Sequence, residues 1–461
     1  MDCIRTERRL SRFPGMPSFP QMFFPPLLIA IWVLSFAPMA VAGDIFVSTR
    51  GDDDQSGSEK EPLATLQEAC DRAKPGDTVR VQKGVYSQAL EFRTSGSKGG
   101  GFITLQADDK AVLTGKNGRR DVIEIYDQSY IRVIGFEIRD HSSFKEASGI
   151  RIEGSGSHIE IRNNTIHEIR GKNAMGITVY GTAEDRPLSK IVIDGNTIHH
   201  CDPAKSEALT LNGNIDGFEV TGNYVHNVNN IGIDFIGGEE SIVEDPEKVV
   251  RNGVCTGNRV FRARASYGGG YAAGIYIDGA RNIVVEGNTV SECDLGIEIG
   301  AENNRAIATG ITVRNNVIYK NDKAGLVVGG YSRDVGRVEK CLFEGNVLFH
   351  NQQHKKAHAE LWIQFAAGNS FRKNVIVSER DKRLVYAEPK GGKNTLRENT
   401  WYSADGLENA RFSWHDEEHI GLNAFRSGSG QGEGSRFQMP VFSDPERGDF
   451  TRIEKAVPVQ D

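Results

Sequence analysis

One short pattern returns along this chain and limits what the chain can fold into. Residues 149–154 read G-I-R-I-E-G, 176–181 G-I-T-V-Y-G, 208–213 A-L-T-L-N-G, 232–237 G-I-D-F-I-G, 274–279 G-I-Y-I-D-G, 296–301 G-I-E-I-G-A and 325–330 G-L-V-V-G-G. Looser copies are V-I-E-I-Y-D at 122–127 and E-L-W-I-Q-F at 360–365. Each alternates two apolar positions with two variable ones, as a half-buried strand does. Single strands that recur at intervals of about 20 to 44 residues must stack on their neighbours to bury their apolar side chains, which makes a solenoid.

A second repeat runs out of phase with the first. It is an Asn step in R-N-N-T-I-H (162–167), D-G-N-T-I-H (194–199), T-G-N-Y-V-H (221–226), T-G-N-R-V-F (256–261), E-G-N-T-V-S (286–291), R-N-N-V-I-Y (314–319), E-G-N-V-L-F (344–349) and R-K-N-V-I-V (372–377). Asn tolerates left-handed backbone and bonds to nearby main chain. Stacked copies can bond from one turn to the next. Two strand types and a corner Asn per turn predict an all-β chain, a β-helix. Asn164, Asn196, Asn223, Asn258, Asn288, Asn316, Asn346 and Asn374 are read as structural. His167, His199 and His226 follow the same corner and are read in the same way.

Length alone, 461 residues, would suggest about three domains, but a solenoid grows along one axis with one continuous core. The 52 glycines suit many tight corners, and a net charge of −7 without a basic block gives nucleic acid no footing. Arg5, Arg8, Arg9 and Arg12 precede an apolar run from Met22 to Met39, and Ala40-Val41-Ala42 is a small-residue cleavage pattern. This reads as a signal peptide over 1–42, so the expected protein is secreted or periplasmic, with no stable membrane insertion after cleavage. The five cysteines that follow, Cys70, Cys201, Cys255, Cys293 and Cys341, show no CxxC spacing. They indicate neither zinc nor a disulfide framework, and Cys201 and Cys293 read as small buried fillers of one column.

The expected organisation has an N-terminal strand and capping helix over 43–77, with Thr65 as the helix cap and Leu66, Ala69, Cys70 and Ala73 on one face. The β-helix follows over 78–402, with insertions at 239–272 and 351–359. A C-terminal loop and cap occupies 403–461.

The opening F-V-S-x-x-G-x-D, with P-L-A-T-L-Q-E-A and K-P-G-D-T-V, is similar to the start of many exported β-helix proteins. The stretches N-I-G-I-D-F-I-G-G-E (230–239), G-I-Y-I-D-G, G-I-E-I-G-A-E and G-L-V-V-G-G-Y resemble right-handed β-helix repeat proteins of the pectin-lyase-like superfamily. That resemblance covers about 45–460 and implies a right-handed parallel β-helix with a polysaccharide or oligosaccharide partner. Lyases, hydrolases and epimerases share the fold, so fold alone does not choose among them.

In G-I-x-I-x-G the apolar pair faces inward and the two variable positions face out. The first outward column reads Arg151, Thr178, Thr210, Asp234, Tyr276, Glu298, Val327 and Trp362. The second reads Glu153, Tyr180, Asn212, Ile236, Asp278, Gly300, Gly329 and Gln364. Three carboxyls therefore fall on successive turns: Asp234, Asp278 and Glu298. With turns ~4.8 Å apart and ~6.6 Å between alternate residues, diagonal pairs such as Asp278 and Glu298 sit ~8 Å apart at Cβ. Glycoside hydrolysis needs two carboxyls at about 5–5.5 Å for retention or 6.5–9.5 Å for inversion, and this pair can meet either. The arrangement also resembles β-helix hydrolases of the β-xylosidase-like kind, which implies Asp278 as nucleophile, Glu298 as acid/base, and Asp234 as a support or a binder of a sugar hydroxyl.

Gly300 and Gly329 are expected to leave room for a ligand. Tyr180, Tyr276, Tyr331 and Trp362 are candidate sugar platforms, with Asn212 and Gln364 as polar contacts. Arg262, Arg264, Tyr267 and Tyr271 are expected to wall the site, and Glu239 and Glu240 to form its rim. The hydrolase reading needs no cofactor and no metal. The main alternative is a pectate- or alginate-type lyase or an epimerase acting on uronates; such a lyase would need Ca²⁺, with Asp234, Glu239, Asp278 and Glu298 as oxygen donors and Lys323 or Arg264 as base. A third reading is a non-catalytic glycan-binding envelope protein using the same groove.

Overall fold

In the computed structural model the described residues are 42–115, 119–332, 334–389 and 392–453. The signal-peptide expectation falls almost wholly on 1–41, outside them. Among the described residues no helix is long and apolar enough to cross a membrane.

Each turn of the chain lays one strand in each of three long sheets. One turn runs through Arg251–Thr256 in the first sheet, Arg259–Ala263 in the third and Ala273–Asp278 in the second, and then returns to the first with Arg281–Glu286. The first sheet has 16 strands and the others 13 each. Successive turns pair in parallel, for example Ile275 with Ile297 and then Ile297 with Leu326, and in these three sheets only the last strand of the second, Glu417–Ile420, runs antiparallel to its neighbour among the described residues. Inward Ile, Val and Leu from every turn, such as Ile150, Ile177, Leu209, Ile233 and Ile275, form one continuous core with no solvent exposure. Burying one such side chain contributes about 1.5–3 kcal/mol, so each turn is held mainly by what it covers on the next.

The corner asparagines form the expected ladder. Asn164 Nδ2 donates to Asn196 Oδ1, and the same bond repeats through Asn223, Asn258, Asn288, Asn316, Asn346, Asn374 and Asn399 at 2.9–3.1 Å. The left-handed position is the residue before each ladder Asn. Asn163 (φ 54°), Gly195 (66°), Gly257 (65°), Asn315 (56°) and Gly345 (70°) occupy it. That explains the recurring G-N and N-N pairs: the first residue turns the corner and the second bonds along it.

The ends of the core are covered. The helix Leu66–Arg72 starts where Thr65 Oγ1 accepts from Glu68 N–H, and it buries Leu66, Ala69 and Cys70. At the other end the β-helix continues a partial turn past 402. Arg411–Trp414 adds in parallel to Arg383–Ala387, and Arg436–Phe437 to Thr400–Trp401. Within the expected C-terminal loop and cap lies the helix Leu422–Ser429, with Phe425 stacked on Phe412 at 4.5 Å. The expected insertion at 239–272 is two loops. Between them lie regular strands, Arg251–Thr256 and Arg259–Ala263.

His167, His199 and His226 stack on the outer face of the third sheet, with ring centroids 4.7 and 4.8 Å apart. Burial, reinforced by the neighbouring imidazoles, pushes His199 down to about 4. A histidine held below its unfolded value of about 6.5 binds fewer protons folded than unfolded between those two pH values. Its stabilising effect is complete above about 6.5 and lost as pH falls towards 4. A His199→Asn chain is therefore expected to lose less stability than the parent between pH 7 and 4.5, as read by urea midpoints at each pH.

Candidate active-site cleft

The second sheet places the site. Its inward positions are apolar, so every chemical choice falls on the outward columns. The observed register joins Thr210, Asp234, Tyr276, Glu298, Val327 and Trp362 in one column, as read from the sequence. In the second column Asp278 pairs with Gly300, and Gly300 with Gly329. Ile236 instead bridges Gly279, so the column steps sideways between these two turns.

Over these columns lies a cleft of about 670 Å³. Asp234, Asp278 and Glu298 all line it, with Tyr276, Tyr331, Trp362 and Gln364 from the sheet and Tyr267 and Tyr271 from the loop before Ala273. Glu239 lines it as the expected rim residue. Sequence reading missed Lys205, Glu207, Asn230, Glu302 and Asn303. Glu207 stands just before one hexapeptide and Glu302 just after another. The signal that could have found them is the acidic residue flanking the strand rather than within it.

The carboxyls differ in what holds them. Asp278 is 6% exposed, and its Oδ1 accepts from Glu302 N–H at 2.6 Å. Tyr276 O–H donates to Glu302 Oε1 at 3.1 Å. Asn212 does not line the cleft. Its Nδ2 donates to Glu239 Oε2 at 2.5 Å and so fixes that rim carboxyl. Asp234 is 2% exposed, and among the described residues its Oδ1 has no hydrogen-bond partner. Glu298 is half-buried.

Burial raises the pKa of Asp278 well above the usual carboxylate range, with Glu302 adding to the effect and its own N–H bond opposing it. Burial also raises Glu298, with Glu302 and Asp278 next, and nothing opposes the shift. Asp234 is raised by burial, then by Glu207 and Asp278. Glu207 is pushed up to about 8, chiefly by burial. The cleft thus keeps protons on some of its carboxyls at neutral pH.

Several expected contacts fall elsewhere. Arg264 does not wall the cleft: its Nε bonds Glu292 O and its Nη2 pairs with Asp322 Oδ1 at 3.1 Å, because its strand ends at a corner that turns it away. Arg262 likewise pairs with Glu292. Tyr180 lies one turn short of the cleft, with the Arg151 guanidinium 5.2 Å from its ring centre. Gly300 and Gly329 do not open space for a ligand. A Cβ at Gly300 would lie 2.7 Å from Tyr276 Oη, and one at Gly329 would lie 1.6 Å from Gln364 O. Both glycines make room for the protein's own neighbouring turn. Trp362 already has His358 stacked on it at 3.8 Å, which leaves one ring face for a ligand.

The carboxylate oxygens are donors of the kind Ca²⁺ takes. Among the described residues, however, no three Asp, Glu, His or Cys side chains converge on one cation position. The donor chemistry suits the ion and the arrangement does not.

Residues 45–327 match the family described as Pel9A-like, right handed beta helix region. The chain belongs to this family. A second family, the periplasmic copper-binding protein NosD, matches residues 236–429. The Pel9A-like chain is 33% identical to the uncharacterized protein YwoF of Bacillus subtilis, across 89% of this chain and 91% of that one. It is 24% identical to the pectate lyase PEL9 of Emericella nidulans over 175 residues, 33% of this chain and 42% of that one. Among solved structures, the GH136 lacto-N-biosidase of Eubacterium ramulus shares the fold at a TM-score of 0.53 and 15% identity, with 86% of this chain and 68% of that one covered. For this Pel9A-like chain the matched span 45–327 contains the cleft carboxyls Asp234, Asp278, Glu298 and Glu302, while Tyr331, Trp362 and Gln364 line the cleft from beyond it.

Proposed function

We propose that this protein is an exported glycoside hydrolase that cleaves a polysaccharide or oligosaccharide in the second-sheet cleft without a metal. The unequal support of Asp278 and Glu298 carries the reading. Asp278 receives the Glu302 N–H, a bond that favours its ionised form. Glu298 has no such donor, and both neighbouring carboxyls favour its protonated form. Burial raises both carboxyls, but only Asp278 has a bond that opposes the rise, which suits Asp278 to the attacking or base role and Glu298 to proton donation. Asp234 is placed to bind a sugar substituent beside the pair. Tyr331 and the free face of Trp362 offer flat apolar surfaces for sugar rings. The glycan substrate class agrees with the relative named a pectate lyase, and export agrees with the basic and apolar N-terminus.

The test is a panel of plant and algal polysaccharides with Ca²⁺ and with chelator, read by new reducing ends and by ultraviolet absorbance. Reducing ends without absorbance, unchanged by chelator, are expected. Glu298→Gln is expected to lower the rate about 10²–10⁴-fold on natural linkages and far less on substrates whose leaving group needs no proton. Unsaturated products that depend on Ca²⁺ would replace the hydrolase by a lyase. Affinity without turnover would leave a glycan-binding protein.

A further inference from the structure

We propose that the cleft is built for a glycan carrying a free amino sugar, whose ammonium sits beside Asp234. This deepens the hydrolase reading and rests on it for the place of cleavage. Six carboxyls line the cleft, those of Glu207, Asp234, Glu239, Asp278, Glu298 and Glu302, against one cationic lining residue, Lys205. Lys323 is roofed by the Tyr271 ring, 3.3 Å from its Nζ, and is not part of the lining.

Charge count alone would be no argument for a ligand. The second observation is the unspent acceptor of Asp234. Asp278 is bonded to Glu302 N–H, Glu302 to Tyr276 and Glu239 to Asn212 and Ser241. Asp234, 2% exposed, keeps Oδ1 without a partner among the described residues. A buried carboxyl oxygen with no donor is costly unless a ligand supplies one. A sugar ammonium brings three N–H donors and a positive charge to a field of like negative charges. A uronate would bring a further carboxylate into the same field and is disfavoured by the same physics. A neutral acetylated sugar can bond to Asp234 but cancels no charge.

Calorimetric titration of the Asp278→Asn chain, which should bind without cleaving, tests this with matched oligomers of glucosamine, N-acetylglucosamine and galacturonate. Glucosamine oligomers are expected to bind at least about tenfold more tightly than the acetylated ones, with galacturonate weakest. Because a cation favours ionised carboxyls, binding of the glucosamine oligomer should release protons, seen as a heat that changes with the buffer's ionisation enthalpy. Adding Asp234→Asn should abolish the tenfold preference and leave acetylated binding in place. Should that variant not fold, proton release on the Asp278→Asn chain decides the matter without it. Equal or tighter galacturonate binding, with or without Ca²⁺, would overturn the proposal, as would an unchanged preference in Asp234→Asn or no binding of any of the three. Affinity is read on a non-cleaving chain, so an amino-sugar preference survives failure of the hydrolase assignment. Hydrolysis of uncharged glycans without that preference overturns this inference alone.

Discussion

Replacing Asp278 with asparagine is expected to lower kcat about 10³-fold, about 4 kcal/mol of transition-state stabilisation, while raising the melting temperature at neutral pH. The two effects share one cause. Asp278 lies among Glu302, Glu207 and Glu239 in a buried cleft, and its folded-state value is raised well above its unfolded one. A carboxyl with a raised folded value contributes its stability below the unfolded value, near 3.9, and that contribution is lost as pH rises through the folded value. At neutral pH the parent therefore carries a cost that the neutral asparagine side chain would not. Loss of rate together with gain of heat stability would mark a functional carboxyl. Loss of both would mark a structural one and sink the assignment. The gain in melting temperature should shrink as the pH is lowered towards 4, where the parent's carboxyl takes up its proton in both states.

Replacing Asn258 with alanine is expected to cost about 3–5 kcal/mol. Asn258 Oδ1 accepts both Asn223 Nδ2 and Asn223 N–H, and its Nδ2 donates to Val220 O and Asn288 Oδ1. Alanine leaves buried donors at Asn223 without an acceptor, at about 1–3 kcal/mol for each unsatisfied group. The exposed neighbour Glu219, changed to alanine, should stay within about 0.5 kcal/mol. Urea unfolding of both chains checks the contrast. A ladder substitution that cost no more than Glu219→Ala would mean the corner asparagines merely fill space.

The register of the second sheet was legible because every turn repeats one inward apolar pair, and a slip of one residue would expose the whole set. That placed Asp234, Asp278 and Glu298 on adjoining turns before any coordinates. The same periodicity could not show Glu207 or Glu302, because turn segments flank the strands with no repeat of their own. Nor could it show the direction of Arg264, which depends on how a corner is wound. Gly300 and Gly329 misled for a related reason. A column says what is missing at a position, while the adjoining turn decides what fills it, here Tyr276 and Gln364.

The five cysteines among the described residues are all free and buried, and they sit on different turns from the N-terminal helix to the strand beside Leu342. Burial pushes the thiols of Cys201, Cys255, Cys293 and Cys341 up to about 12, so none offers a thiolate while its turn is closed. A solenoid opens by nearest-neighbour steps. Alkylation of each cysteine then becomes a clock for its own part of the stack, and comparing the five clocks would map, without any label added, where along its axis this molecule first comes apart.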